Sequence, residues 1–443
     1  MKRRIEGRTM RSKRLIILII ALLLISCGKQ PSEDSKTQIR FWHSFVAATH
    51  PALRELISQY EAENPGIEIV EQYVPTGDAL IQKLATAIRS NTAPDISWIH
   101  ADFLDKLVQA SAIYPMEHFF QQDSIQMESI ISDIWPELLK TAIWQDTLFA
   151  LPMEATTLGL VYNKDHFRRV GLDPDRPPQN WEELGQFVDR LCTDTNGDGV
   201  LERRGFYVPV FPASGPLSIW MVLQWSPFLW SAGGHFLQAD NFEFHHESGV
   251  KVLSLWQDLF VSQDMIRFSL GHDSGFLSEQ VSMIMDGPWD LPLLRENSKF
   301  EWGVAPLPAG PSGQFTYMAG EHLVIFRQSK HPTESFKFVK WILDPKVQAS
   351  FSMKSGYLPV RQATLELEEY KRFLEEDAAM RAFVDLLQYA RGREALGSKQ
   401  VEINQLIAEA IERACMGADT PEAALSKAAR GAQELLDAKV SPR

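Results

Sequence analysis

The stretch QIRFWHSFVAATHPALRELISQYEAENPGIEIV, residues 38–70, decides the fold class. Residues 38–42 predict a short strand. Pro51 suits the first turn of a helix, where the hydrogen that proline lacks is not needed. Apolar residues then recur at helical spacing over 53–60. The sequence Asn64-Pro65-Gly66 ends the helix, and residues 67–70 predict the next strand.

The alternation of strands and helices continues beyond this stretch. Asp78 is a candidate cap for a second helix, and residues 95–99 predict a third strand. Strand–helix–strand order with these lengths predicts parallel βαβ units and an α/β fold. In such sheets ligands bind beyond the carboxyl ends of the strands. Residues 42–44 and 99–102 are therefore expected near one edge.

The first residues of the chain predict an export signal. Seven basic residues precede an apolar run at 15–25, which is shorter than the about 20 residues of a membrane span. Leu-Ile-Ser-Cys at 24–27 resembles the lipobox of bacterial lipoproteins. This resemblance implies a signal peptide over 1–26, a lipid on Cys27 and a tether over 27–37. The protein would then be anchored to a membrane in the cell envelope, outside the cytoplasm; an uncleaved anchor is the alternative.

Charge and cysteine content exclude two classes of protein. Removal of residues 1–26 takes away seven basic residues and one acidic residue and changes the net charge from −13 to −19. Such an acidic chain is a poor partner for nucleic acid, because phosphates would be repelled. Three cysteines cannot form a disulfide scaffold. Cys192 and Cys415 are expected to be free thiols.

Short motifs in a fixed order cover nearly the whole chain after residue 38. They include IRFWHSF at 39–45, LPMEATTLGLVYNKDHF at 151–167, MIMDGPWDL at 283–291, WGVAPLPAG at 302–310 and MAGEHLVIF at 318–326. Together they resemble the family 1 sugar-binding receptors of ABC importers, the maltose-binding group. The resemblance implies a type II periplasmic-binding-protein fold, in which crossing strands join two α/β lobes around a ligand cleft. It places lobe 1 at 38–152 and 305–345, and lobe 2 at 153–304 and 346–435.

The same resemblance implies a function. The protein would be a monomeric, non-catalytic receptor that captures a saccharide and delivers it to the membrane permease subunits of an importer. Saccharides need flat aromatic side chains for their C–H faces and carboxylates or amides for their hydroxyls. The candidate ligand-binding residues are Trp42, His43, Asp102, Glu154, Trp220, Trp230, Trp289, Glu321, Tyr357 and Arg361.

A loop at 194–202 matches the start of a calcium-binding EF-hand loop. Side-chain oxygens stand at its first, third and fifth positions, and a glycine stands at the sixth. No cofactor is required by the predicted function, but this loop is a candidate structural calcium site. The alternative is a turn held by Asx side chains without a metal. The candidate ligands are Asp194, Asn196, Asp198, Val200 and Glu202.

Other functions stay open from the sequence alone. Acidic and aromatic residues would also suit a polyamine. Glycerol phosphate, iron or an oligopeptide are further candidate solutes, and a phosphate ligand would favour arginines at the cleft. A secreted glycoside hydrolase would need two carboxylates about 5–10 Å apart, which a sequence cannot measure.

Overall fold

The computed structural model describes residues 36–120, 124–215, 217–394, 396 and 399–438. Within these ranges no helix is both long and apolar enough to span a bilayer. The predicted signal peptide and the lipidation at Cys27 lie outside the described residues. Cys192 and Cys415 are free thiols, as predicted.

Sixteen strands are found in the described ranges. They are β1 Thr37–His43, β2 Ile67–Tyr73, β3 Ile96–His100, β4 Ile143–Trp144, β5 Thr147–Leu148, β6 Leu151–Pro152, β7 Thr156–Thr157, β8 Gly159–Asn163, β9 Arg204–Phe206, β10 Leu237–Gln238, β11 Asn241–Phe242, β12 Val281–Asp286, β13 Trp302–Ala305, β14 Thr316–Ala319, β15 Glu321–Ile325 and β16 Ala390–Arg391.

Eighteen α-helices accompany these strands in the same ranges. They are α1 His50–Glu63, α2 Gly77–Arg89, α3 Leu104–Gln109, α4 Glu117–Phe120, α5 Ser124–Ile131, α6 Pro136–Lys140, α7 Lys164–Arg169, α8 Trp181–Leu191, α9 Ser218–Ser231, α10 Glu247–Ser262, α11 His272–Leu277, α12 Leu291–Asn297, α13 Pro332–Ile342, α14 Pro345–Ser355, α15 Glu368–Glu376, α16 Ala378–Asp385, α17 Gln400–Cys415 and α18 Pro421–Asp437.

The first lobe contains a five-stranded sheet in the order β2-β1-β3-β15-β6. Strand β1 pairs in parallel with β2 and with β3, so the predicted βαβ units are confirmed. Strand β15 returns antiparallel to β3. The predicted cap of α2 was wrong: Thr76 lies before the helix, and its side chain accepts a hydrogen bond from the Ala79 amide.

The second lobe contains a four-stranded sheet in the order β13-β8-β12-β9. The chain leaves the first sheet after β6, enters the second at β8, and returns from β13 to β15. A three-stranded ribbon, β16-β14-β7, is formed by the segments that cross between the sheets. The type II two-lobe fold predicted from the sequence is thus the observed architecture.

One segment packs differently from the predicted lobe division. The sequence analysis assigned 346–435 to the second lobe, but α14 packs mainly against α1, a helix of the first lobe. Lys354 of α14 pairs with Glu55 of α1 at 2.5 Å. Helices α17 and α18 pack on α9 and α10 in the second lobe. The change of lobe therefore falls after α14 rather than before it.

Candidate ligand site between the lobes

The crossing strands bring two distant glutamates together. Ala319 of β14 is paired with Thr156 of β7, which lies two residues after Glu154. Gly320 permits this close approach, because a Cβ atom at this position would lie 2.0 Å from the Glu154 carbonyl oxygen. The next residue is Glu321, whose amide donates to Glu154 Oε1 at 3.4 Å. The sequence analysis nominated both glutamates separately, and the ribbon makes them neighbours.

Burial and the neighbouring groups favour the neutral form of Glu154 and the ionised form of Glu321. Burial raises the pKa of Glu154 well above its ordinary value, and the neighbouring Glu321 raises it further. Burial also opposes ionisation of Glu321, but hydrogen bonds from Glu154 and His100 outweigh it and lower the pKa of Glu321 to about 2. His100 Nδ1 lies 3.0 Å from Glu321 Oε1. A neutral carboxyl beside a carboxylate can both donate to and accept from a ligand hydroxyl.

A buried arginine lies at the same junction. The Arg393 side chain is 8% exposed, and its Nη2 atom lies 4.0 Å from Asp102 Oδ1 of the first lobe. Nη2 donates to Asn404 Oδ1 of α17 at 2.9 Å. Nε and Nη1 of Arg393 are buried and have no hydrogen-bond partner among the described residues. A buried charge in this state is costly unless an anion or another acceptor meets it.

The sequence analysis did not nominate Arg393. The pair Arg391 and Arg393 is visible in the sequence, but nothing in the sequence placed it at the crossing. The structure does so through β16, because Arg391 is paired with Tyr317 of β14. The Arg391 guanidinium donates to Glu394 Oε1 at 2.9 Å and to His235 Nδ1 at 3.0 Å, so its charge is already partnered.

An aromatic pair stands on the second-lobe side. Trp220 and Trp289 are both half-buried, and their rings meet edge to face at 5.3 Å. Trp289 Nε1 donates to Asp290 Oδ2 at 2.9 Å. Gly287 is required here, because a Cβ atom would lie 1.8 Å from the Trp289 ring. The indole is therefore held in one orientation beside a carboxylate.

Two buried tyrosines, Tyr317 and Tyr357, lie near Glu321. Burial raises the pKa of Tyr317 and of Tyr357, and Glu321 raises both further. Tyr357 is reached through Gly356, which has φ +87° and would place a Cβ atom 2.1 Å from the Pro288 carbonyl oxygen. This turn lies directly against the loop that carries Trp289. The lobes are in contact at this side of the cleft.

Residues 55–382 match the family model described as "Bacterial extracellular solute-binding protein". The chain belongs to this family. An extracellular or periplasmic solute-binding protein of the ABC-transporter class therefore carries the site described above.

Similar proteins cover almost the whole of this solute-binding protein. The sn-glycerol-3-phosphate-binding periplasmic protein UgpB of Escherichia coli K12 is 25% identical over 439 residues, which is 94% of this chain and 96% of the relative. A putative binding protein of Brucella abortus is 27% identical over 403 residues, covering 88% and 91%.

Solved structures share the fold. The cyclic alpha-maltosyl-1,6-maltose binding protein of Arthrobacter globiformis has a TM-score of 0.75 and 23% identity, covering 91% of this chain and 100% of that one. UgpB of Mycobacterium tuberculosis, in complex with glycerophosphocholine, has a TM-score of 0.78 and 19% identity, covering 92% and 100%.

Four of the predicted ligand-binding residues lie away from the ligand group, which consists of Glu154, Glu321, Arg393, Trp220 and Trp289. Trp42 is 8% exposed, and the Lys83 ammonium covers its ring at 4.2 Å. Trp230 is 1% exposed in the second-lobe core, with the Arg391 guanidinium over its ring. Arg361 binds Asp133 at 2.6 Å within the first lobe. The fourth is His43.

His43 is enclosed by aromatic rings. Phe41, Phe45, His50 and Tyr73 surround it, with ring centroids 5.5–5.8 Å away. It is 1% exposed, and neither ring nitrogen has a hydrogen-bond partner among the described residues. Burial lowers the pKa of His43 from 6.5 to about 4, with His50 and Arg54 adding to the effect. His43 is therefore part of the core rather than of the ligand group.

We expect His43 to make the solute-binding protein acid-sensitive. The unfolded chain takes up this proton near pH 6.5 and the folded chain only near pH 4, so stability falls as the pH drops through that window. The variant His43→Phe should lose less stability than the wild type between pH 7 and pH 4 in thermal unfolding. His246→Gln, at an exposed histidine, is the control. Equal pH dependence of His43→Phe and wild type would contradict this.

The candidate calcium loop forms a turn held by its own side chains. Asp194 Oδ1 and Oδ2 accept from the amides of Gly197 and Gly199. Asn196, Asp198 and Glu202 likewise accept from backbone amides; the acceptor–donor pairs are Asn196–Asp198, Asp198–Val200 and Glu202–Thr195. Each of these four side chains thus already accepts from the backbone, as in an Asx turn. Calcium binding by this loop stays a prediction.

Proposed function

We propose that this protein captures a small phosphorylated polyol, of the glycerol phosphate class, between its two lobes. The observation that carries the proposal is Arg393. Its guanidinium is 8% exposed and has two N–H-bearing atoms, Nε and Nη1, without a partner among the described residues. A guanidinium fork matches the geometry of a phosphate and binds it with charge-assisted hydrogen bonds.

The rest of the group suits the polyol part of such a ligand. The neutral form is favoured for Glu154 and the ionised form for Glu321, so the pair can donate to one hydroxyl and accept from another. The rings of Trp220 and Trp289 offer apolar surface for C–H groups. The E. coli relative, named as an sn-glycerol-3-phosphate-binding protein, supports the same class of solute.

A neutral saccharide is the second candidate. The Trp220–Trp289 pair and the glutamates favour it, and the Arthrobacter structure is of a protein named for a maltose-type ligand. A neutral sugar would leave the Arg393 charge without a counter-ion other than Asp102 at 4.0 Å. We therefore prefer the phosphorylated polyol, because its phosphate would be a counter-ion for Arg393.

Hydrolysis of a glycoside is not part of the proposal. The Glu321 amide donates to Glu154 Oε1 at 3.4 Å, and the two carboxyls are close enough for each to shift the pKa of the other. A glycosidase needs its two carboxylates about 5–10 Å apart, with the scissile bond between them. The relatives named above are binding proteins. We therefore propose that the bound solute leaves chemically unchanged.

We also propose that the chain is anchored by lipid on Cys27 and delivers its solute to the permease subunits of an ABC importer. The lipobox-like Leu-Ile-Ser-Cys at 24–27 supports the anchor. A polar tether over 27–37 would let the lobes stand off the membrane. The family to which the chain belongs supports the delivery role.

A tryptophan-fluorescence titration tests the ligand class. The full chain, in a detergent with neither a sugar nor a phosphate head group, is titrated with sn-glycerol 3-phosphate, a glycerophosphodiester, glycerol, maltose and spermidine. We expect a saturable change with the phosphorylated polyols, because Trp220 and Trp289 lie beside the cleft. Saturation by maltose alone would contradict the phosphorylated-polyol proposal and support a neutral saccharide as the solute. Saturation by spermidine alone would exclude both.

A further inference from the structure

Four ionisable side chains converge beneath the Trp289 loop. His272, Asp273, Asp286 and Asp290 each offer one ligand atom, and these atoms all lie within 4.8 Å of one another. Asp286 ends strand β12, Asp290 lies in the 3-10 turn that follows it, and the other two begin α11. No motif in the sequence joins these residues, because thirteen positions separate Asp273 from Asp286.

Asp286 is the member that points to a ligand. It is fully buried, and its Oδ1 accepts from the Gly287 amide at 2.7 Å. Its other oxygen, Oδ2, is buried and has no hydrogen-bond partner of good geometry among the described residues. A buried carboxylate oxygen in this state is costly and favours a proton or a cation.

The surroundings supply little positive charge. Among the described residues, no lysine or arginine lies within ion-pair distance of the three aspartates; His272 Nε2 lies 2.9 Å from Asp273 Oδ1. Burial raises the pKa of Asp286 well above its ordinary value and that of Asp290 to about 7, and the Asp273 carboxylate adds to both effects. Mutual repulsion in a buried site is relieved most fully by a bound cation.

We propose that His272, Asp273, Asp286 and Asp290 form a binding site for a divalent cation of the Zn²⁺ or Mn²⁺ class. Metal–ligand bonds of about 2.0–2.2 Å put donor atoms about 3–4 Å apart, so small side-chain rotations close the present group around an ion. The imidazole donor favours zinc, and the three carboxylates also suit manganese; calcium and magnesium prefer oxygen ligands alone.

The position of this site gives a metal ion access from solvent and links the bound ion to the Trp289 indole. The side chains of His272 and Asp273 are 21% and 34% exposed, so they provide a path from solvent to the buried aspartates. Trp289 Nε1 donates to Asp290 Oδ2, so a cation on Asp290 would also fix the indole that faces the cleft. The site is separate from the loop at 194–202 and does not depend on which solute the protein binds.

Metal content after equilibrium dialysis tests the proposal. The full chain, without an affinity tag, is stripped with a chelator and dialysed separately against Zn²⁺, Mn²⁺, Ca²⁺ and Mg²⁺. We expect close to one equivalent of Zn²⁺ or Mn²⁺ per chain. The isosteric variants Asp286→Asn and Asp290→Asn should each weaken this binding at least tenfold.

Asp198→Asn, in the other candidate metal loop, is the matched control and should retain the ion. Thermal unfolding provides a second measurement: Zn²⁺ or Mn²⁺ should raise the Tm of the wild type and of Asp198→Asn, but not that of folded Asp286→Asn. Binding that survives Asp286→Asn, or that is lost only in Asp198→Asn, would overturn the proposal. Absence of any bound ion in the wild type would do the same.

Discussion

Replacing Arg393 by methionine is expected to weaken the binding of glycerol 3-phosphate by about 30-fold or more. Truncating one partner of a buried, hydrogen-bonded charge pair costs about 2–5 kcal/mol, and every 1.4 kcal/mol is about a factor of ten in affinity. Methionine keeps much of the apolar stem, so the lobes should still fold. Isothermal titration calorimetry of both chains measures the effect.

A second substitution at Arg393 separates the effect of its charge from that of its planar shape. Arg393→Lys keeps the charge but loses the planar fork, so its affinity should fall between those of wild type and methionine variant. Arg168→Met is the matched control, because Arg168 pairs with Asp165 and Glu301 at the surface of the second lobe. An unchanged affinity in a folded Arg393→Met chain would remove the argument for a phosphate at this position.

The second large effect is expected at Gly320. In Gly320→Ala the new methyl group would lie 2.0 Å from the Glu154 carbonyl oxygen, a backbone atom that cannot rotate away. The crossing strands must then separate, which displaces Glu321 from Glu154. Overpacking of this kind costs about 1–3 kcal/mol. We expect a fall in Tm of on the order of 5 °C and a loss of affinity of at least tenfold.

Gly66→Ala is the control for Gly320→Ala, because a Cβ atom at Gly66 meets nothing within 4 Å. Differential scanning fluorimetry and calorimetric titration of the two variants give the comparison. If Gly320→Ala matched Gly66→Ala in both Tm and affinity, the close approach of the crossing strands would not matter for the site.

Local patterns predicted the first lobe well. The apolar face of α1 and the breakers at 64–66 fixed a strand, a helix and a strand, and β1 and β2 do pair in parallel. The last helix is likewise started by a local contact, since Thr420 accepts a hydrogen bond from the Ala423 amide. Such elements are decided by neighbours in the chain, which a sequence displays directly.

The sequence around His43 contains an alternation of apolar residues that indicates burial, and the prediction did not use it. Ile39, Phe41 and Phe45 are fully buried and alternate along the first strand and just beyond it. Because strand side chains alternate between faces, His43 falls on the same buried face. The position beyond a strand end left both ligand contact and a capping or core role open for His43, and the alternation of two residues indicates the core.

Arg393 and Trp230 show what a single sequence could not provide. Arg393 lies at the junction of the lobes because a two-residue strand, β16, joins the ribbon beside β14. That pairing links residues more than 70 positions apart, and no local pattern encodes it. Trp220 and Trp230 lie on one helix, but only Trp220 faces the Trp289 loop. The rotation of a helix that is apolar on every side is decided by tertiary packing.

Phosphorus-31 NMR of sn-glycerol 3-phosphate with an equimolar amount of the full chain tests the central claim most directly. The account predicts a shifted and broadened bound resonance with the wild type, and a free resonance with Arg393→Met, since the phosphate is proposed to lie on that guanidinium. An unchanged free resonance in the presence of the folded wild-type chain would contradict the account.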